Sequence, residues 1–240
     1  MDKKQYNNNI IHISIPNSLI SIGDFSFTCN EKLTHITIPT SVTHIGMNAF
    51  SNCTSPISIE IPDSVTSIGE STFSGCTSLT NVVIGDSVKS IGNYAFKGCT
   101  SLVKAVVGDS VTSIGDYAFF GCDSLSSILI PNSVKSIGTE SFRNCTSLTS
   151  VEIGDSVTSI GDYAFSGCTS LANVTISNRV TTIDDSAFLF CRKLTSINFE
   201  GTVEQWNAIV KSVGWDNYTG SYTIYCYDGE IAKDGTVTYY

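Results

Sequence analysis

The chain has 240 residues, a formal net charge of −9 and a pI near 4.6. Only 15% of its residues are charged, and its 13 lysines and arginines are scattered along the sequence. A phosphate backbone requires a basic stripe, so this composition excludes nucleic acid and anionic membrane surfaces as partners. No apolar run approaches the ~20 residues of a membrane-spanning helix, and we therefore expect no membrane insertion.

The chain begins with a polar tail, which we predict to cover residues 1–9. Its start is charged, but no apolar segment follows, so we identify no secretory signal peptide in this chain. The first structural unit is expected to begin at residue 10.

From residue 10 onwards the sequence repeats every 23 residues. A phenylalanine column contains Phe27, Phe50, Phe73, Phe96, Phe119, Phe142, Phe165 and Phe188. An isoleucine column contains Ile22, Ile45, Ile68, Ile91, Ile114, Ile137, Ile160 and Ile183. An aliphatic column contains Leu19, Val42, Val65, Val88, Val111, Val134, Val157 and Val180. Matches in this many successive units indicate a repeat architecture.

One unit, residues 148–168, shows what each part of the repeat forms. Val151 and Ile153 alternate with polar neighbours, which is the pattern of a short strand with one buried face. The segment from Ile160 to Cys168 spaces its apolar residues like one face of a short helical or 3₁₀ turn. Each unit is therefore predicted to contain one strand and one helical turn.

No single unit can bury its own apolar residues, so the units must stack and share one core. Stacked strands then pair into a parallel sheet with about 4.8 Å between coils. We predict a repeat solenoid over residues 10–199 with about eight 23-residue units. The parallel β-sheet would line the concave face of a curved rod, and the helical turns would line its convex face.

The unit pattern Leu-x-x-Ile-x-Ile-Pro-x-Ser-Val-x-x-Ile-Gly-x-x-Ala-Phe-x-x-Cys resembles the BspA-like leucine-rich repeat of bacterial surface proteins and some protists. The resemblance covers about four fifths of the chain. It implies a leucine-rich-repeat rod, a secreted or cell-surface location, and adhesion or binding to host or extracellular proteins. No catalytic activity comes with this repeat, so we expect neither an enzyme nor a bound cofactor.

Eight of the nine cysteines end the units: Cys29, Cys53, Cys76, Cys99, Cys122, Cys145, Cys168 and Cys191. Zinc sites use closely paired ligands such as Cys-x-x-Cys, which this chain lacks. A disulfide needs Cβ atoms ~3.8 Å apart, whereas side chains stacked in register stay nearly one coil apart. We therefore favour a column of buried thiols that act as small hydrophobic side chains. Cys226 lies outside this column.

The 23-residue period stops near residue 200, and we predict a C-terminal capping segment over residues 200–240. Thr202 and Gln205 form the capping-box pattern of a short helix. Strands are predicted over residues 222–227 and 236–240, separated by Asp-Gly turns.

Two roles are open for this segment. As a cap, it would cover the last coil with Trp206, Ile209 and Val210, as repeat proteins require at their ends. As a carbohydrate platform, it would present Trp206, Trp215 and its tyrosines. We favour the cap.

The exposed side of the predicted sheet carries the candidate binding residues. Three consecutive coils place Val83, Val106 and Leu129 at positions that should face solvent, which suggests an interaction patch. The patch is completed by Asn81, Lys104 and Ser127 beside it and by Glu60 and Glu152 at its flanks. The alternative is that β-branched residues occur there for strand propensity alone.

Two further sets of residues are candidates for metal binding. His12 and His35 occupy equivalent positions in adjacent coils and could join Glu60, but two solvated imidazoles are the favoured interpretation. An acidic row contains Thr40, Asp63, Asp86, Asp109, Asn132, Asp155 and Asn178. Calcium could bridge such a row, but aspartates that bond their own turns explain it more simply. We predict no metal site.

We predict a non-enzymatic protein-binding or adhesion module that uses its concave sheet to bind an unidentified protein partner. One alternative is a structural solenoid that self-associates through its ends. Another is carbohydrate binding by the aromatic C-terminal segment. A hydrolase is disfavoured because the sequence has no triad signature and no phosphate loop.

Overall fold

The computed structural model describes residues 10–240, and the predicted polar tail over residues 1–9 lies outside the described residues. The chain winds into stacked coils that share one apolar core. Strands of successive coils pair in parallel in two sheets, so the molecule is the predicted leucine-rich-repeat solenoid.

From residue 58 onwards the ten-stranded sheet contains the strand predicted at the start of each unit, and strands are numbered along the chain. In the first two units this position forms only an isolated bridge between His12 and His35. Its members are β3 (Ser58–Ile61), β5 (Asn81–Ile84), β7 (Lys104–Val106), β9 (Ser127–Ile130), β11 (Ser150–Ile153), β13 (Asn173–Ser177), β15 (Ser196–Glu200), β17 (Thr223–Cys226), β18 (Gly229–Ala232) and β19 (Val237–Tyr239). Residues alternate between buried and exposed along these strands, as the sequence pattern predicts. The core therefore lies on one side of the sheet, and the opposite side, the outer face, meets solvent.

A second, nine-stranded sheet was not predicted. Its members are β1 (Ser21–Ile22), β2 (His44–Ile45), β4 (Ser67–Ile68), β6 (Ser90–Ile91), β8 (Ser113–Ile114), β10 (Ser136–Ile137), β12 (Ser159–Ile160), β14 (Thr182–Ile183) and β16 (Val210–Lys211). The assignment of Ile160 to a helical turn is therefore wrong, because Ile160 pairs with Ile137 and Ile183 in neighbouring coils.

The segment between the nine-stranded sheet and the end of each unit forms turns without a helix, unlike the sequence prediction. Tyr117 and Gly121 have left-handed φ values of 58° and 67°, which interrupt the helical hydrogen-bond pattern. Their N–H groups donate to Thr139 and Arg143 of the next coil at 2.9 Å each. The intervening Phe120 N–H donates within its own coil. Alternate backbone groups thus join one coil to the next.

The eight phenylalanines form one continuous stack through the core. Ring centroids of successive members, from Phe27 to Phe188, lie 5.1 to 5.5 Å apart, and the rings are nearly parallel. This confirms that side chains 23 positions apart lie directly over one another.

The cysteine column is confirmed as free thiols, of which Cys53 to Cys191 are buried and Cys29 is half-buried. Each thiol from Cys53 to Cys191 donates to the carbonyl oxygen of a phenylalanine 26 residues earlier, with Sγ–O distances of 3.1 to 3.4 Å. Burial raises the pKa of the Cys99 thiol to about 12. These thiols therefore fill the core as neutral groups.

The C-terminal segment begins with α1 (Val203–Ala208), and the predicted capping box is present. Thr202 accepts the Gln205 N–H at 3.2 Å, and the Gln205 side chain accepts the Thr202 N–H at 2.9 Å. Trp206 and Ile209 are buried as predicted, but Val210 is exposed because it lies in β16 and extends the nine-stranded sheet.

This helix lies within a ninth coil, between β15 and β16. Strand β16 pairs with β14, and β17 pairs with β15, so both parallel sheets continue beyond the predicted end of the repeat. The strands β18 and β19 then fold back in antiparallel fashion, and β19 forms the edge of the ten-stranded sheet. Strand β18 begins at Gly229, where the sequence suggested only a turn.

Candidate functional site

The outer face of the ten-stranded sheet brings the candidate residues into adjacent positions. Glu60 pairs with Val83, and Val83 pairs with Val106. On the other side of the patch, Leu129 pairs with Glu152. The apolar residues therefore form one row across three neighbouring strands, with one carboxylate at each end.

A second row lies beside the first. Asn81 pairs with Lys104, and Lys104 pairs with Ser127. These residues begin the same strands and lie two positions before the apolar residues. Because they share the outer face, the eight candidate residues form one continuous surface, which we call the sheet patch.

The apolar members of the sheet patch are exposed, at 44% for Val83, 40% for Val106 and 58% for Leu129. Their chain neighbours Val82 and Ala105 point into the core and are buried. The exposed row therefore adds nothing to the packing of the solenoid interior. Large apolar side chains in consecutive exposed positions are a feature of interaction surfaces.

Two shallow depressions adjoin the sheet patch. One has a volume of about 280 Å³ and is lined by residues from β9, β11 and β13, including Leu129 and Glu152. The other has a volume of about 340 Å³ and includes Glu60. The ends of the patch are thus concave enough to receive side chains of a partner.

The charges on this face are mostly negative. Lys104 is the basic member of the sheet patch, and Glu60 and Glu152 are its carboxylates. Glu200, at the end of β15, has a pKa raised by burial and further by Asp155 and Glu152. The apolar row of the sheet patch is therefore surrounded mainly by carboxylate side chains.

Sequence reasoning missed further apolar groups near the sheet patch. Ile57 and Val103 immediately precede β3 and β7, and both side chains are exposed. Ile57 and Val103 occupy the same position of the repeat as Thr80. A search of the sequence for apolar residues at that position would have found both.

Exposed tyrosines continue the outer face at its C-terminal end. Tyr225 lies beside Asn198 because β17 pairs with β15, and Tyr227 and Tyr240 are also exposed. Sequence reasoning assigned tyrosines to the tail but could not place them on this face, since that requires the register of β17.

The tryptophans are not available as a carbohydrate platform. Trp206 is buried, and Trp215 is half-buried and packs edge to face against Phe188 and Tyr222. Of the proposed platform, the tyrosines other than the buried Tyr222 are exposed.

The other candidate sets make contacts of a structural kind. His12 and His35 lie side by side in adjacent coils, joined by an isolated parallel β-bridge, and both are exposed, as predicted. Within residues 10–240, no group of three or more His, Cys, Asp or Glu side chains is placed to hold a metal ion.

The acidic row joins coils together. The Asp63 carboxylate accepts the N–H of Asp86 in the next coil at 2.8 Å, and Asn132 accepts the N–H of Asp155 in the same way. The prediction that these side chains bond their own turns is therefore wrong. Asp63, Asp86 and Asn132 bond the equivalent turn one coil further along.

Tyr94 and Tyr117 stack on the turn side with ring centroids 4.8 Å apart. The Lys97 ammonium lies 5.2 Å from the Tyr94 ring centre, and the Tyr117 hydroxyl donates to Glu140 at 2.8 Å. This hydrogen bond to Glu140 raises the pKa of Tyr117, with smaller contributions from its desolvation and from the Glu140 charge. The cluster fastens successive turns together.

Among the described residues, no helix is both long and apolar enough to cross a bilayer. A search of curated protein sequences found no match.

Solved structures of similar proteins are bacterial leucine-rich-repeat proteins. A leucine-rich repeat protein from T. pallidum is 32% identical, with a TM-score of 0.57 over 65% of this chain and 72% of that one. One from Eubacterium ventriosum is 22% identical, with a TM-score of 0.54 over 88% of this chain and 77% of that one. The pneumococcal vaccine antigen PcpA is 20% identical, with a TM-score of 0.54 over 87% of this chain and 67% of that one. At these lower identities the likeness concerns the fold alone.

The family model for the BspA type leucine rich repeat region matches residues 2–126 and 89–210. These matches span most of the chain and end within the ninth coil. The chain therefore belongs to the BspA-type leucine-rich-repeat family.

Proposed function

We propose that this protein is a non-enzymatic binding module that holds a protein partner on the sheet patch. The observation that carries the proposal is the exposed row of Val83, Val106 and Leu129, which the fold does not use for packing. The BspA-type repeat supports it, because leucine-rich-repeat solenoids are generally scaffolds for binding.

The charges around the sheet patch define the chemistry of the partner. Glu60 and Glu152 lie four coils apart, which corresponds to about 19 Å at ~4.8 Å per coil. A complementary partner presents apolar side chains to the central row and basic groups to the two ends. Such complementarity steers association and selects against acidic partners.

A double variant, Val106→Glu with Leu129→Glu, tests this function. Binding of the wild type and the variant to a panel of purified matrix and host-surface proteins is measured by surface plasmon resonance. We expect the double variant to lose at least about tenfold in affinity for any protein that the wild type binds. If a folded double variant binds as well as the wild type, the partner-binding site is not the sheet patch.

Val213→Glu is the matched control for this experiment. Val213 is almost fully exposed but lies in the turn after β16, away from the sheet patch. The substitution adds the same charge to an apolar position, so it separates loss of the patch from a general effect of negative charge.

We infer a secreted or cell-surface location for the protein in its native cell. The family supports this inference, and so does the fold shared with a pneumococcal vaccine antigen. Protease accessibility of the protein on intact cells tests it. Digestion of the protein without cell lysis is the expected result, and full protection would refute the inference.

A second candidate function is self-association through the end of the stack, and the edge strand β19 favours it. Thr236 accepts the N–H of Ala232 in β18, and the Tyr240 N–H donates to Asp228, which immediately precedes β18. The alternation of an antiparallel ladder therefore turns the backbone groups of Val237 and Tyr239 away from β18. An edge strand without charged residues is a template for pairing with another chain. Light scattering over a concentration series tests it, with Val237→Lys expected to abolish any association.

A further inference from the structure

A cleft at the corner between the two sheets is separate from the sheet patch. It has a volume of about 440 Å³ and is lined by Lys135, Asp155, Ser156, Thr158 and Arg179. Its residues come from the turns that follow β9, β11 and β13 and from the chain leading into the nine-stranded sheet. The cleft is therefore independent of the protein-binding face proposed above.

The two cations of this cleft have no carboxylate partner. In the part of the chain that the structure describes, the one ion pair within 4.0 Å joins Arg143 and Glu140. The side chains of Lys135 and Arg179 make no hydrogen bond to other described residues. In a chain with a net charge of −9, two neighbouring unpaired cations are a local exception.

Arg179 departs from the repeat at its position. In the preceding coils the same column holds serine: Ser41, Ser64, Ser87, Ser110, Ser133 and Ser156. The serines of the Pro-x-Ser corners, such as Ser133, donate to a backbone carbonyl 22 residues earlier. The corner with Ser156 begins with Gly154 instead, and among residues 10–240 its hydroxyl has no partner. An unused hydroxyl therefore lies directly beneath the arginine.

The cations bracket this hydroxyl along the rod axis. Lys135 lies one coil before Thr158 in one column, and Arg179 lies one coil after Ser156 in the next column. The two cations are therefore about 10 Å apart along the axis, at ~4.8 Å per coil. Long, flexible side chains can close on a group held between them.

The polar groups indicate what that ligand carries. The planar guanidinium of Arg179 suits a two-pronged contact with a sulfate or carboxylate group, and the ammonium of Lys135 adds a point charge. The Ser156 hydroxyl can donate to the same anion. The Asp155 carboxylate, which accepts no hydrogen bond from the described residues, would repel a bare anion but accept hydrogen bonds from hydroxyl groups.

We propose that this corner cleft binds an anionic saccharide, a sugar with a sulfate or carboxylate group together with free hydroxyls. The anion lies between Lys135 and Arg179, and a ring hydroxyl donates to Asp155. The methylene chains of the two cations cover the apolar face of the sugar ring. A nucleic acid is not suited to the cleft, because its chain of phosphates would meet the acidic remainder of the protein.

The test is titration calorimetry of the full chain with three probes: a sulfated disaccharide, its unsulfated parent and inorganic sulfate. The test variant is Arg179→Ser with Lys135→Thr, which restores the residues found in neighbouring coils and so preserves the fold. The control is Lys89→Thr, which removes the lysine two coils before Lys135 in the same column. Thermal melting verifies that each variant is folded.

We expect the wild type to bind the sulfated disaccharide more tightly than either other probe. The test variant should lose about 10- to 100-fold in affinity, as for a charged hydrogen bond, and Lys89→Thr should bind like the wild type. The proposal is overturned if the wild type does not bind the sulfated disaccharide at millimolar concentration. It is also overturned if the parent sugar or sulfate binds equally well, or if the control loses as much affinity as the test variant.

Discussion

The ring of Phe188 meets the indole of Trp215 edge to face, with ring centres 6.0 Å apart, and the phenylalanine stack ends at this contact. The preceding rings of the stack lie nearly parallel, so the tryptophan changes the geometry at the last coil. Trp215 also meets Trp206 and Tyr222 edge to face at 6.1 Å. It therefore connects the repeat core to α1 and to the start of β17.

Replacement of this residue by Trp215→Ala should uncover the end of the stack. Because the indole is half-buried, we expect a loss of about 2 to 4 kcal/mol in the free energy of unfolding. Urea unfolding followed by circular dichroism measures it. The control is Tyr218→Ala, which removes an exposed ring of the same segment and should change stability by less than about 1 kcal/mol.

The fold was predictable where a side-chain column repeats without a break. Phe119 could be placed over Phe96 from the sequence alone, because the same residue type recurs at a fixed step and only stacking buries it. The exposed position of Val106 followed from the same register, since its neighbours in the strand alternate with it. Both predictions follow from a 23-residue period that recurs in many successive units of the sequence.

Two features of the fold could not be predicted from the sequence, because neither follows the 23-residue period. A two-residue strand such as β12 is too short to show alternation, so Ile160 resembled the start of a turn. The ninth coil was missed because α1 inserts residues. Ile183 pairs with Lys211, a step of 28 in place of 23. The corner cleft was missed for a related reason. Whether the serine of a corner makes its hydrogen bond depends on whether that corner begins with proline or glycine.

A glycine follows each isoleucine of the nine-stranded sheet from Ile22 to Ile160, and from Gly46 onwards close approach between coils requires it. A Cβ atom on Gly138 would lie 2.7 Å from the carbonyl carbon of Gly115 and from the Asp116 carboxylate. Gly138→Ala should therefore force the coils apart and lower the free energy of unfolding by about 2 kcal/mol or more. Thermal and urea unfolding measure the loss.

Gly121→Asn is the matched control for this substitution. Gly121 has a positive φ of 67°, but nothing lies within 4 Å of its Cβ position. Asn144 occupies the equivalent position one coil later with a φ of 62°. Asparagine tolerates this conformation, so the control should remain within about 1 kcal/mol of the wild type. An equal loss in both variants would argue against close approach as the cause.

The thiol column makes stability depend on alkaline pH. The ordinary thiol pKa is 9.0, and burial raises that of Cys191 to about 12 and that of Cys53 to about 11. A group whose folded pKa is raised gives its full stability below the unfolded pKa. Above pH 9 the unfolded chain releases protons that the folded chain retains, so stability falls as pH rises towards 12.

Each such thiol contributes a slope of about 1.4 kcal/mol per pH unit within this window. We expect that thiol ionisation does not change the melting temperature below pH 8. From pH 9 upwards the melting temperature should fall steeply. Cys99→Ala tests the cause, because it removes one titrating thiol and should reduce the slope. An unchanged slope in Cys99→Ala would argue against thiol ionisation as the cause.

The carboxylates of the sheet patch should act on the rate of association with a partner. Glu60→Gln with Glu152→Gln removes both flanking charges but leaves the apolar row intact. Rim charges steer encounter, so we expect a slower association rate, a weaker dependence on salt and little change in the dissociation rate. Surface plasmon resonance at two ionic strengths measures these rates for any partner found in the panel. Glu70→Gln, an exposed acid on the turn side, should leave both rates unchanged. A faster dissociation with unaltered association would mean that the carboxylates lie within the contact itself, and the basic groups of the partner would then have to reach the centre of the patch.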